Sequence, residues 1–291
     1  MATKTLSENI NQAISDLNGV KQALIDKGAE LPSGTKTSEY GAKISEIKGG
    51  VDTSGVTDFN QFCYRGRLVD QLDNLDTSSG TNFTAMFTQS SSLQSSSATS
   101  LLEVPLLNTS NGTNFTNMFS YCLELTTIPQ FNTSSGTNFY GMFVSCKALK
   151  TIPQLNTSNG TNFSQMFVSC ISLTEIPLLD TAKGTNLSLM FSGCTSLKTL
   201  TLTSFLSADR MFANCTALEN FTVTGTITVN NNYLDLSAST SLTVDSLLSV
   251  INALADNTGK TTRTITLGST NLAKLTDEQK AIATNKNYTL A

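Results

Sequence analysis

The 291-residue sequence contains no histidine and no tryptophan. Without histidine the commonest general base is missing, and with it the Ser-His and Cys-His nucleophile pairs and His-ligated zinc. Without tryptophan a site that stacks sugar rings on an indole is disfavoured. Charge is scarce: Asp, Glu, Lys and Arg make up 14% of the chain, and the net charge is −4. No basic face is present to hold phosphates, so nucleic acid is not expected as a partner. No apolar run approaches the roughly 18 residues that suggest a membrane span. Met1–Thr5 lead into no apolar signal segment. The chain is therefore expected to be made in a cytosol, without membrane insertion and with its six cysteines reduced. Triplets such as Asn108-Thr109-Ser110 and Asn114-Phe115-Thr116 then read as composition rather than glycan sites. Serine, threonine and asparagine take the place of charge, which is not the composition of high-charge disorder.

One pattern dominates what is present. Met-Phe occurs at Met86-Phe87, Met118-Phe119, Met142-Phe143, Met166-Phe167, Met190-Phe191 and Met211-Phe212, the four central pairs 24 residues apart. Cysteine follows at Cys122, Cys146, Cys170, Cys194 and Cys215. Then come Leu125, Leu149, Leu173, Leu197 and Leu218, and after them Ile128, Ile152, Ile176, Leu200 and Phe221. Phe83, Phe115, Phe139, Phe163 and Leu187 stand upstream of the Met-Phe pairs. Self-similarity at a fixed period marks a repeat architecture. The frame extends back through Phe59, Phe62, Val69, Leu72 and Leu75. The second unit carries a serine-rich surplus, Gln89–Ser97, read as an exposed loop. About seven units fill residues 51–225.

Within a unit, Phe115, Met118, Phe119 and Cys122 fall at i, i+3, i+4 and i+7, one face of a short helix. Asn114 is placed to cap it, after the turn signal Asn111-Gly112. Leu125–Phe131 reads as extended, with Pro129 matched by Pro105, Pro153 and Pro177. Proline has no N–H, so one ladder hydrogen bond per unit must be missing there. Asp76, Asn108, Asn132, Asn156 and Asp180 mark the exit from the strand, where a polar side chain bonds its own turn. One unit cannot bury its own apolar face, whereas stacked units can. The expected fold is an α/β repeat solenoid with a parallel sheet on one side and short helices on the other. At about 4.8 Å per coil its length is on the order of 34 Å.

The pattern Met-Phe-x-x-Cys-x-x-Leu-x-x-Ile resembles the BspA-type leucine-rich repeats of bacterial surface proteins and of some bacteriophage proteins. The resemblance implies a leucine-rich-repeat-like stack used in adhesion and recognition, without a catalytic centre. The chain departs from that pattern in the proline of each strand.

The two ends read differently. Residues 5–28 form an amphipathic pattern with Ile10, Ala13, Leu17, Val20 and Leu24 on one seam, and Thr5 and Glu8 spaced as a capping box. A second short helix is expected around Ser38–Ile47. Asn11–Asp16, Lys21–Gly28 and Tyr40–Ile44 resemble a small N-terminal module of structural and tail-fibre proteins from phages of Gram-positive bacteria. The resemblance implies that residues 1–50 attach the chain to a virion. Residues 226–291 are expected to form a small α/β C-terminal cap. Its elements are strands at Ile227–Val229, Leu234–Leu236 and Thr262–Leu267, a helix over Val244–Asp256, and a helix over Asp277–Asn285 capped by Thr276. Thr266–Leu272 and Leu275–Lys280 resemble the C-terminal caps of BspA-like phage and prophage proteins.

Three features compete for a functional role. The cysteine ladder lacks the Cys-x-x-Cys pairs of a metal array, and parallel Cβ vectors suit disulfides poorly. It reads as small buried hydrophobes. Met118, Met142, Met166 and Met190, with Cys122, Cys146, Cys170 and Cys194, are the expected core ladder. The seam Ile10, Leu17, Leu24 is the expected virion attachment contact, while a homo-oligomeric coiled coil or packing within its own module also fits. Between residues 76 and 215 the only carboxylates are Asp76, Glu103, Glu124, Glu175, Asp180 and Asp209, with no pair suited to glycosidic chemistry. The expectation is a virion-located protein that is not an enzyme and needs no cofactor. Its partners are other virion proteins, in capsid or tail, and a host-surface protein or glycan. A tail-fibre or baseplate receptor-binding role, a capsid decoration or head-fibre role, and a bacterial surface adhesin remain the alternatives.

Overall fold

In the computed structural model the structure describes residues 53, 55–63, 75–89, 101, 103–206, 209–230 and 234–291. The N-terminal readings, including Ile10, Leu17 and Leu24, lie outside the described residues, as does most of the serine-rich stretch.

Along residues 115–122 the backbone uses its N–H groups in two alternating ways. Phe115, Asn117, Phe119 and Tyr121 donate to the next unit, to the carbonyls of Asn138, Tyr140, Met142 and Val144, at 2.7–2.9 Å. Met118, Ser120 and Cys122 donate three residues back, to Phe115, Asn117 and Phe119. The expected short helix is therefore a run of tight turns. A helix would keep its N–H groups within one unit, whereas half of these bind the neighbour. Turning every few residues while facing the next unit requires left-handed backbone at Asn117 (φ 53°) and Tyr121 (φ 62°). The same two positions in the next unit are Gly141 and Ser145, and in the unit after that Gln165 and Ser169. Phe115, Met118, Phe119 and Cys122 still share one side and are fully buried. Turns of this length and a helix give the same inward spacing, so hydrophobic periodicity does not separate them.

The turn runs are joined by single parallel bridges, Asn82 to Asn114 to Asn138 to Asn162 to Asn186. Asn114 does not cap a helix. Its Oδ1 accepts the N–H of Thr116 at 3.1 Å, supplying a partner that the turn otherwise lacks. Inside, two columns of phenylalanine stack. Phe59, Phe83, Phe115, Phe139 and Phe163 lie 5.6–5.7 Å apart with rings within 9° of parallel. Phe87, Phe119, Phe143, Phe167, Phe191 and Phe212 form the second column at 5.4–5.8 Å. A glycine column closes over the first. A Cβ on Gly160 would sit 2.1 Å from the Phe163 ring, so only glycine permits that approach.

The opposite side is less regular than expected. Leu125–Phe131 and Leu149–Leu155 form no regular ladder. A parallel sheet begins with β1 (Glu175–Leu179), followed by β2 (Thr199–Leu202) and then β4 (Asn220–Val223), with β3 (Phe205–Leu206) pairing β5 (Ile227–Thr228) separately. Between β1 and β2 the register slips between Ile176 and Leu179, on either side of Pro177. The proline that removes a donor also breaks the pairing. The repeat region is thus α/β and repeat-like in class, built mainly from turns and short parallel pairs.

The C-terminal segment supplies the helices. α1 (Val244–Ala253) is capped by Thr243 and packs against β4. β6 (Leu234–Asp235), β7 (Arg263–Thr266) and β8 (Tyr288–Leu290) form a parallel sheet in that order. α2 (Gly268–Leu272) and α3 (Asp277–Asn285) complete it, and α3 begins with the Thr276/Gln279 capping box. The reading from sequence missed α2 and β8. The Lys286 ammonium donates to the carbonyls of Ile251, Asn252 and Leu254, closing the C-terminal end of α1. Among the described residues no helix is long and apolar enough to cross a membrane.

Candidate functional site

The strand-exit corner is set from inside by threonine. Thr109, Thr133 and Thr157 are buried, and each hydroxyl donates to a main-chain carbonyl of the next unit, at Asn132, Asn156 and Asp180, over 2.8–2.9 Å. A buried hydroxyl needs such a partner, and the repeat supplies it every 24 residues. Outside the corner, the Oδ1 atoms of Asn132 and Asn156 accept both the N–H and the hydroxyl of Ser134 and Ser158. Asp180 accepts from the N–H of Ala182 and the hydroxyl of Thr203.

Two glutamines, not anticipated from sequence, stand beside this corner. Gln130 Nε2 donates to the carbonyl of Phe131 at 3.1 Å and across to that of Gln154 at 2.6 Å. Gln154 repeats this, to Leu155 at 3.1 Å and Leu178 at 2.7 Å. Each glutamine follows a proline, Pro129 or Pro153, so the side-chain amide bonds across to the next unit beside a residue with no N–H. The signal was in the sequence: proline announces a missing donor, and a long amide directly after it is the nearest substitute.

Together these residues line an open groove of about 680 Å³ crossing three units, bounded by Gln130, Asn132, Gln154, Asn156, Leu178 and Asp180. Asp180 is its only charged lining residue. In the glutamine column the outer units carry leucine instead, Leu106 at 75% exposure and Leu178 at 45%.

Of the residues singled out from sequence, the strand-exit Asn132, Asn156 and Asp180 line this groove, whereas the core ladder lies inside. Met118, Met142, Met166, Met190, Cys122, Cys146, Cys170 and Cys194 are all fully buried. Each ladder thiol donates to a carbonyl one unit back, Cys146 to Phe119, Cys170 to Phe143 and Cys194 to Phe167, at 3.0–3.1 Å. Burial pushes these three thiols well above their ordinary pKa, with the neighbouring cysteines adding to it. All six cysteines are unpaired and buried.

The fold and groove define a repeat protein with an amide-lined outer corner. The chain matches, over residues 36–150 and 123–225, the family described as Mycoplasma protein of unknown function, DUF285. These spans cover more than half of the chain, which belongs to that family. No curated protein and no solved structure matches it.

Proposed function

We propose that the chain is a non-enzymatic surface protein of a bacteriophage particle, held through residues 1–50 and displaying its repeats as a leucine-rich-repeat-like solenoid for host-surface binding. The observation that carries the recognition role is the groove. Uncharged polar side chains dominate its lining, on a scaffold whose thiols, methionines and stacked rings are locked inside. Such a scaffold holds its surface groups in place before a partner arrives, which lowers the entropy lost on binding.

The particle location is supported by the likeness of Asn11–Asp16, Lys21–Gly28 and Tyr40–Ile44 to phage attachment modules. In this reading Ile10, Leu17 and Leu24 contact a capsid or tail protein. Immunogold electron microscopy of purified particles, with antibody against the repeats, tests the location. Gold on the tail or baseplate supports the receptor-binding role, and gold on the capsid moves the protein to decoration. Unlabelled particles overturn both. A chain lacking residues 1–50, or carrying Leu17→Asp, is expected to be missing from particles. Incubation with host envelope polysaccharide is expected to release no reducing ends.

A further inference from the structure

We infer that the groove over Gln130, Asn132, Gln154 and Asn156 binds an uncharged, hydroxyl-rich glycan laid across the units. This deepens the surface-recognition reading and rests on it. The unused hydrogen-bonding capacity of the amides selects the ligand. A carboxamide nitrogen has two protons, and in Gln130 and Gln154 both go to main-chain carbonyls. The Oε1 acceptor of each stays unused among the described residues. In Asn132 and Asn156 the balance is reversed. Oδ1 accepts two bonds from the serine two residues on, and the two Nδ2 protons stay unused among the described residues. These two units therefore each present one held acceptor and one held donor pair, two residues apart on exposed positions. A hydroxyl both donates and accepts, so sugar hydroxyls match this pairing.

Spacing and charge narrow the choice. Equivalent rings of successive units lie 5.4–5.8 Å apart, close to the advance of one sugar ring along a chain. An extended peptide advances about 3.4 Å per residue, so its polar groups fall out of step with the units. No lysine or arginine lines the groove and Asp180 does, so anionic polymers meet no counter-charge. Recognition here needs no aromatic platform. Planar amides fix the hydroxyls, and the exposed Leu178 offers the apolar face of a ring a flat contact.

The repeat itself provides the test variants. Aspartate already stands in the asparagine column at Asp76 and Asp180, accepting the same turn bonds, so N132D/N156D keeps the corner and removes the donor pairs. Leucine already stands in the glutamine column at Leu106 and Leu178, so the repeat accommodates Q154L, which removes one acceptor together with the two bonds that Gln154 Nε2 donates. The probes, titrated into the full-length chain by calorimetry, are neutral tetrasaccharides of glucose, galactose, rhamnose and N-acetylglucosamine, with polyglycerol phosphate as the anionic control. At least one neutral tetrasaccharide is expected to bind, with affinity falling tenfold or more in N132D/N156D at an unchanged melting temperature. Binding of polyglycerol phosphate alone, no binding by any probe, or full affinity in both variants overturns the inference. A particle that carries the protein but fails this titration leaves the location standing and removes only the glycan.

Discussion

The hydroxyl of Ser246 in α1 accepts the backbone N–H of Phe221 at 2.9 Å and donates to the carbonyl of Glu219 at 3.0 Å. One turn of helix later, Ser249 accepts the N–H of Val223 at 2.9 Å. These are the groups that β4 would offer to a further unit. The helix meets the last strand with side chains where another strand would use its backbone, and the open edge ends there.

Ser246→Ala should therefore leave the buried N–H of Phe221 without a partner. The expected cost is about 1–3 kcal/mol, and S246A/S249A should exceed either single change. Chemical denaturation measures this. A double variant as stable as the parent would remove these bonds from the closure.

The thiols predict a pH dependence. Burial holds the Cys215 thiol protonated up to about 12, against an ordinary 9.0, although a main-chain hydrogen bond from Cys194 works the other way. Between those values the unfolded chain loses a proton that the folded chain keeps. The thiol's stabilisation is complete below 9.0 and declines as pH rises toward 12. Cys146, Cys170 and Cys194 shift in the same direction and steepen the decline. Stability measured across this range should fall in the parent and fall less in C215A. Under native conditions at neutral pH all six thiols should resist a soluble thiol reagent until denaturant is added.

Two substitutions probe opposite packing errors. Met166→Ala opens a cavity in a fully buried column and should cost about 2–5 kcal/mol. Gly160→Ala forces a methyl against the Phe163 ring and should cost about 1–3 kcal/mol. Thermal melts of both variants check the pair. A neutral Gly160→Ala would mean that the phenylalanine stack yields more easily than its geometry indicates.

Gln130→Leu tests the bond beside proline. It removes a side-chain donor from an exposed carbonyl, so the expected loss is about 0.5–1.5 kcal/mol. Hydrogen exchange should quicken around residues 150–155 with little change in the phenylalanine columns. Unchanged exchange there would show that the amide does not hold neighbouring units together.

The sequence by itself determined which side chains face inward. Phe115, Met118, Phe119 and Cys122, and their copies 24 residues on, are buried as their spacing requires, because inward facing depends only on period. It also placed α1 and α3, since caps such as Thr276 with Gln279 are local chemistry. Tertiary structure decided how the backbone travels between those points. A helix and a run of turns bury the same positions, and the choice rests on whether N–H groups such as that of Asn117 find a partner in their own unit or at Tyr140 in the next. It decided the groove as well. Proline at residue 129 announces a missing donor, but only the approach of the following unit brings the Gln154 carbonyl within reach of the Gln130 amide and lines up the asparagines beside it.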